Sequence, residues 1–186
     1  MPKQRITREM VVDAAFRLAR ERGMEGVLVK ELARELHCSV QPVYTYCGSM
    51  EELRRAVEEK TAEFVREYAA RHRDPDNPFR STGLAYLRLA REEPHLYRVF
   101  FSRPQGGSWE ELYRREADQE RAEELAKELG LTPEAARGLH LHMLLYTAGV
   151  GQVLAASRGE MDVETAAEQL ESAYRAFLRQ AREGTE

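Results

Sequence analysis

The chain has 186 residues, 42% hydrophobic and 32% charged, with a formal net charge of −4. That length buries a core without staples, and that mixture is globular, which excludes a disordered chain. Two cysteines, Cys38 and Cys47, have no CxxC spacing and no close metal-spaced partner, which argues against structural zinc and a disulfide scaffold.

Helical periodicity runs almost from end to end, and no alternating strand pattern appears. Ile6, Met10, Val11, Ala14, Ala15 and Leu18 recur at helical spacing, with Thr7 as N-cap and Gly23 as stop, so the first helix is predicted over about 7–22. A second spans about 29–36, with Leu32, Ala33 and Leu36 inward. After a break at His37-Cys38-Ser39 a short third covers about 40–46, with Pro42 in its first turn, where a proline is tolerated. Ser49 and Glu52 are spaced as a capping box for a fourth helix that reaches about residue 72. Asp74-Pro75-Asp76-Asn77-Pro78 is a turn.

A fifth helix is predicted over about 79–92, and Pro94 opens a sixth. Arg103 to Gly107 reads as a loop, followed by a seventh helix over about 108–129. Gly130 before apolar Leu131 predicts a Schellman end. Thr132-Pro133 starts an eighth helix that lasts until about Arg158, and Asp162 caps a ninth that runs to about 182. The expectation is an all-α chain of about nine helices. No signal peptide is visible, and the longest apolar run, near Leu141 to Ala156, is too short and too polar for a span; a cytoplasmic protein without membrane contact is expected.

Charge is unevenly spread. Residues 1–55 hold ten Lys/Arg and eight Asp/Glu, a net of +2; residues 56–186 hold eighteen and twenty-four, a net of −6. The sign suits a DNA-binding head on an acidic body. Two short helices joined by a tight turn after a first helix describe a helix-turn-helix, whose second helix enters the major groove.

The segment Val29 to Leu53, VKELARELHCSVQPVYTYCGSMEEL, resembles the signature of TetR-family regulators. Ser39 stands at the family's turn serine, Val43-Tyr44 at its Leu-Tyr pair, Tyr46 at a histidine and Cys47 at a phenylalanine, and Ser49 and Leu53 at the start of the fourth helix. The likeness covers about residues 7–57 well and the remainder through helix number and length. His37 departs from the usual turn glycine, a position that often needs positive φ, where His is among the side chains enriched. Met50 replaces a lysine placed near phosphate, and Val29 replaces a Thr or Ser cap.

The resemblance implies a helix-turn-helix domain over 1–48 and a helical ligand-binding and dimerisation domain over 49–186. It places Val40, Gln41 and Thr45 at the groove, with Ser39 and Pro42 in the same turn. Gln41 has the geometry for a bidentate contact to adenine, and Val40 for a thymine methyl. Tyr44 and Tyr46 resemble the family's phosphate-contacting aromatics, and Lys30 is a candidate phosphate contact. Core packing of Tyr44 and plain solvation of Lys30 or Gln41 remain open alternatives.

The family dimerises through its last two long helices, which assigns Gly149, Gly151, Ala155, Leu170, Tyr174 and Phe177 to a two-fold interface. Family pockets lie among helices 4 to 8, where Phe64, Tyr68, Tyr86, Tyr97, Phe101, Trp109, Tyr113, His140, Met143 and Tyr146 cluster; core packing is the competing reading for each. Mostly apolar walls with a few polar groups suit a small, largely apolar effector.

The expected function is a dimeric, ligand-responsive regulator, a repressor released from a palindromic double-stranded operator by an inducer. The alternative is a TetR-like helical binding protein acting through protein partners without specific DNA binding. Enzyme chemistry is not supported. His140 and His142 are two apart on a helix and cannot chelate one metal; no GxSxG, HExxH or P-loop occurs; and Gly149-Val150-Gly151 lies in a helical pattern rather than after a strand. No catalytic residue, metal or cofactor is expected.

Overall fold

The computed structural model describes residues 6–102, 119–157 and 159–183. Among them every regular element is helical: α1 (Arg8–Arg22), α2 (Val29–Glu35), α3 (Val40–Cys47), α4 (Met50–Arg71), α5 (Pro78–Glu92), α6 (Pro94–Phe101), α7 (Gln119–Leu129), α8 (Pro133–Ala156) and α9 (Val163–Glu183), with a 3-10 turn at Met24–Gly26. The expected loop at 103–107, the first part of the predicted seventh helix and Arg158 lie outside the described residues.

The helix ends follow local chemistry. The Thr7 hydroxyl accepts the Met10 amide at 3.2 Å, and Gly23, at φ 79°, ends α1. Thr132 accepts the Ala135 amide at 3.2 Å, and the Asp162 carboxylate accepts that of Thr165 at 2.6 Å. After α7 the Leu131 amide donates to the Ala126 carbonyl at 2.9 Å across Gly130 at φ 66°, the predicted Schellman geometry. Before α5 the Asp76 amide donates to the Asp74 carboxylate and the Asn77 amide to the Asp74 carbonyl, so one aspartate builds the turn.

The capping box at α4 is only half made. The Ser49 hydroxyl accepts the Glu52 amide at 3.1 Å, but the Ser49 amide donates to the Cys47 carbonyl. The Glu52 carboxylate instead lies where a Cβ on Gly48 would sit, 2.2 Å away. Gly48 has φ 72° and ψ −78°, a conformation in which a side chain is strained, so the backbone requires glycine there, while the Glu52 carboxylate ends a flexible side chain that can swing aside.

At Asp162 the backbone amide and then the side-chain hydroxyl of Thr165 hold the carboxyl below its usual range. A depressed folded pKa contributes stability that is present above the unfolded value and is lost as pH falls through the folded one. Asp162→Asn is therefore expected to lower the melting temperature at neutral pH and to converge on the parent as acid protonates Asp162. Thermal unfolding from neutral to acidic pH checks this, and a gap that stays constant across that range refutes it.

Packing divides the chain into two compact units. The first holds α1 to α4 as far as Tyr68, together with α6; the second holds the rest. The boundary expected at 48/49 falls at the α3–α4 junction inside the first unit, because Leu53 and Val57 of α4 are buried in the same cluster as α1 to α3. In the second unit α8 packs against α5, α7 and α9. Gly83 of α5 lies so close to Leu170 of α9 that a Cβ would meet it at 3.0 Å.

α8 is long and apolar enough, by length and composition alone, to cross a membrane. The sequence reading found its apolar run too short; the helix starts earlier, at Pro133, and has 24 residues. Ala136, Leu139, Leu141, Met143, Thr147, Gly151 and Leu154 of this helix are buried within the second unit. A helix with several packed neighbours carries such composition without any lipid.

Candidate nucleic-acid interface

α2 and α3 are held by one apolar cluster. Leu32 and Ala33 of α2, Val43 and Cys47 of α3, Val11, Ala14, Ala15, Leu18 and Ala19 of α1, and Leu53 and Val57 of α4 are all buried in it. Burial of each large side chain contributes about 1.5–3 kcal/mol, which makes the pair of short helices a fixed unit rather than two frayed peptides. Burial also raises the pKa of the Cys47 thiol, so it behaves as a small apolar side chain.

The turn between them is a second Schellman motif. The Cys38 amide donates to the Ala33 carbonyl at 2.9 Å and the His37 amide to the Arg34 carbonyl at 3.2 Å. His37 sits at φ 50°, the one non-glycine residue with positive φ among the described residues. The left-handed conformation costs an L side chain about 1–2 kcal/mol, against about 0.5–1 kcal/mol of extra chain entropy for glycine. His37→Gly is therefore expected to stabilise the domain by about 0.5 kcal/mol. Chemical denaturation checks this; a lowered midpoint would show that the imidazole contributes more than its strain costs.

The outer face of α3 is uncharged and exposed. Ser39, Gln41, Tyr44 and Thr45 are exposed, Tyr44 to 41%. The Thr45 hydroxyl donates to the Gln41 carbonyl at 3.0 Å. Pro42 is half-buried in the first turn. Val40 and Tyr46 are half-buried and pack against the core cluster, so each divides its surface between core and solvent. Met50, the residue in place of a lysine, also packs against that cluster. α2 is preceded by Leu28, not Val29, as its N-cap, and Leu28 offers no side-chain bond.

Most arginines around this surface are already paired. Arg17 binds Glu35, Arg22 and Arg34 share Glu31, and Arg55 binds Glu51. Lys30 is exposed and has no ion-pair partner among the described residues, which leaves its ammonium free for an anion. α6 is tied to α1 by Arg20, whose Nε donates to Glu93 at 2.8 Å and whose NH2 group makes a second bond to the same carboxylate. That pairing raises the arginine pKa against the opposing effect of burial.

The aromatics assigned to a pocket separate into two groups. Phe64, Tyr68, Tyr97 and Phe101 belong to the first unit. Phe64 faces Phe16 at 5.9 Å with the Arg20 guanidinium 5.4 Å from its centroid, Tyr68 lies 6.3 Å from Phe64, and fully buried Tyr97 stacks on Phe101 at 4.5 Å. Tyr68 and Tyr97 are buried in the first unit, while Phe64 and Phe101 are half-buried against them. Tyr86, His140 and Met143 line a cavity of about 720 Å³ in the second unit. Tyr146 packs instead against Phe177, with centroids 6.2 Å apart. Trp109 and Tyr113 lie outside the described residues.

Two residues assigned to a dimer surface sit at this cavity: Tyr174, and Leu170, which is buried. Phe79, not singled out from the sequence, is the ring that joins the cavity walls. Its centroid is 5.9 Å from both His140 and Tyr174. Its position directly after Pro78 in the first turn of α5 was the available signal. Gly151 is buried as well; Gly149 is exposed, and Ala155 and Phe177 are half-buried. Among the described residues no cluster of His, Cys, Asp and Glu could hold a metal ion.

A buried cluster joining α1 to α4, with two short helices linked by a tight turn, has the arrangement of a helix-turn-helix domain. Residues 11–57 match the family model described as bacterial regulatory proteins, tetR family. Among solved structures, a TetR-like transcriptional regulator from Rhodococcus sp. RHA1 has the same fold, with a TM-score of 0.66 at 22% identity over 92% of this chain and 96% of that one. No curated protein matches the sequence. Over residues 11–57 this chain is therefore similar to the N-terminal DNA-binding domain of tetR-family regulatory proteins, and over most of its length it has the fold of a TetR-like regulator.

Proposed function

We propose that the protein is a homodimeric repressor that binds a palindromic operator and is released by a small molecule held in the cavity of the second unit. The observation that carries this reading is the α3 face: Gln41, Tyr44 and Thr45 stand exposed on a helix whose other side is locked into a core. Gln41 reads an adenine edge, with Val40 beside it on a thymine methyl, while Tyr44, Tyr46, Ser39 and Lys30 position the backbone. Pro42 narrows the ensemble of the first turn.

A dimer surface is supported by a stripe on α8 that is exposed among the described residues. His142, Leu145, Gly149 and Val153 are spaced three and four apart and all are exposed, Val153 to 60%. Phe177 of α9 lies beside it, 5.0 Å from the His142 ring. An apolar strip of this kind closes on its own copy through a two-fold axis, which makes the DNA target a palindrome. Gly151 and Leu170 are buried within one chain, and Tyr174 is half-buried at the cavity, so the exposed α8 stripe is the better candidate for this surface. Ligand response then follows from linkage: a molecule that favours one conformation of the body lowers operator affinity by its differential binding energy.

Selection of sites from a random duplex pool by the purified protein tests the reading. The expected result is one enriched palindrome, bound by a species of twice the chain mass. A folded protein that enriches no sequence, or one that binds as a monomer to an asymmetric site, overturns it.

A further inference from the structure

We propose that α3 reads A·T pairs, through an adenine edge at Gln41 and thymine methyls at Val40 and Thr45, and that it reads no guanine. The inference rests on the reading of α3 as the helix that enters the major groove, and it names the class of sequence that helix takes.

The sequence of α3, VQPVYTYC, contains neither a cation nor a carboxylate. Its inner side is taken by Val43 and Cys47, both buried, which leaves the first turn, Tyr44 and Thr45 for a groove. On the major-groove edge guanine shows two acceptors, N7 and O6, and its best partner is an arginine or lysine; cytosine shows an amino donor, and its partner is a carboxylate. The charged side chains nearest before α3 are held elsewhere: Arg34 and Arg22 share Glu31, and Glu35 binds Arg17. A G·C pair against this face therefore loses water from N7 and O6 with no charged donor to replace it.

The groups that α3 does present match A·T. Gln41 is exposed and offers a carbonyl and an amide side by side, the complement of adenine N6 and N7. Thr45 is exposed too, but its hydroxyl hydrogen is committed to the Gln41 carbonyl at 3.0 Å. A hydroxyl has one hydrogen to give, so Thr45 is left with a methyl and an acceptor oxygen. Val40, half-buried at the start of the helix, adds methyl groups. The apolar group on a major-groove edge is the thymine C5 methyl, and these side chains suit it. Among the described residues of the first unit, the two large apolar side chains left exposed are Leu28, directly before α2, and Tyr44. Exposed apolar surface is thus concentrated on the helix pair, which suits a methyl-bearing groove better than a purely charged contact. The hydroxyls of Ser39 and Tyr44 remain for the phosphate backbone.

Base analogues in the palindrome enriched from the random pool test this, with affinity for the full chain read by fluorescence anisotropy. The operator position at which Gln41→Ala loses discrimination marks where α3 lies. That position and its neighbours are expected to be A·T pairs. Deoxyuridine for thymidine removes the C5 methyl alone, and at a contacted thymine it is expected to weaken binding about fourfold. Inosine·cytosine for A·T changes the major-groove edge but keeps the minor-groove edge of A·T, and it is expected to weaken binding about fivefold or more. Thr45→Ser keeps the hydroxyl that bonds the Gln41 carbonyl and removes the methyl. It is expected to abolish the uracil penalty at one position and to leave it at the others, and Val40→Ala is expected to do the same at a second position. A general loss of folding moves every position alike. A G·C pair at the marked positions, uracil bound as well as thymine throughout, inosine·cytosine bound as well as A·T, a uracil penalty that survives both variants, or no position marked by Gln41→Ala each overturns the inference and leaves a palindrome-binding regulator standing. Enrichment of no palindrome overturns that reading, and the inference with it.

Discussion

Leu32→Ala is expected to cost the N-terminal unit about 2–5 kcal/mol and to abolish DNA binding at physiological temperature. Leu32 is fully buried at the centre of the cluster that joins α1, α2, α3 and α4. Its loss removes transfer energy and leaves a cavity that Ala33 and the α1 alanines are too small to fill. Domain stabilities lie at about 5–15 kcal/mol, so a loss of this size removes a large share of the total. Urea unfolding followed by circular dichroism, alongside operator titration, measures both effects. The midpoint should fall and DNA affinity should fall with the folded fraction. An unchanged midpoint would mean that the cluster does not hold the two short helices.

Gln41→Ala is expected to do the opposite: stability stays within about 0.5 kcal/mol while discrimination at one operator position falls by about 1–3 kcal/mol, roughly five- to 150-fold. The side chain is exposed, so its removal leaves no void. Its backbone carbonyl, which accepts the Thr45 hydroxyl, survives the substitution. Lys30→Ala provides the contrast. It should weaken every duplex about equally and reduce the slope of log affinity against log salt by about one. Fluorescence anisotropy on the selected operator and on single-base variants separates the two. If Gln41→Ala leaves the preference at every position unchanged, Gln41 reads no base.

The N-terminal unit was legible because its signals are local. Thr7, Gly23 and Ser49 act through backbone groups within a few residues, and each appears in the structure where its chemistry requires. His37 shows the same economy, since a motif that needs positive φ accepts the residue and displays the angle. Even here a local rule gave way once: Ser49 and Glu52 have capping-box spacing, but the Gly48 turn diverts the Ser49 amide to Cys47, so only one of the two bonds forms.

The cavity was less legible, because membership of a pocket depends on which helix faces which. Phe64, Tyr97, Tyr86 and His140 look alike in a periodic sequence. The first two belong to the N-terminal unit, Tyr97 fully buried and Phe64 half-buried, and the last two line the cavity. Leu170 and Tyr174 read equally well as a stripe for a second copy of the chain, yet the close approach of α5 at Gly83 turns Leu170 inward. Met50 was read as a missing cation, and the structure shows it packed on the core.

The sequence by itself determined the all-helical class, nearly every helix end, the tight turn and the likeness of residues 29–53 to a DNA-binding signature. Caps, prolines and glycines act over a turn of helix, and hydrophobic period is set by 3.6 residues. Tertiary structure alone decided that α6 belongs with the first four helices, which aromatics line the cavity, and which face of α8 is exposed among the described residues. Those outcomes depend on packing between residues far apart in the chain, where several amphipathic faces compete for the same neighbours and only the closest fit among them selects the arrangement.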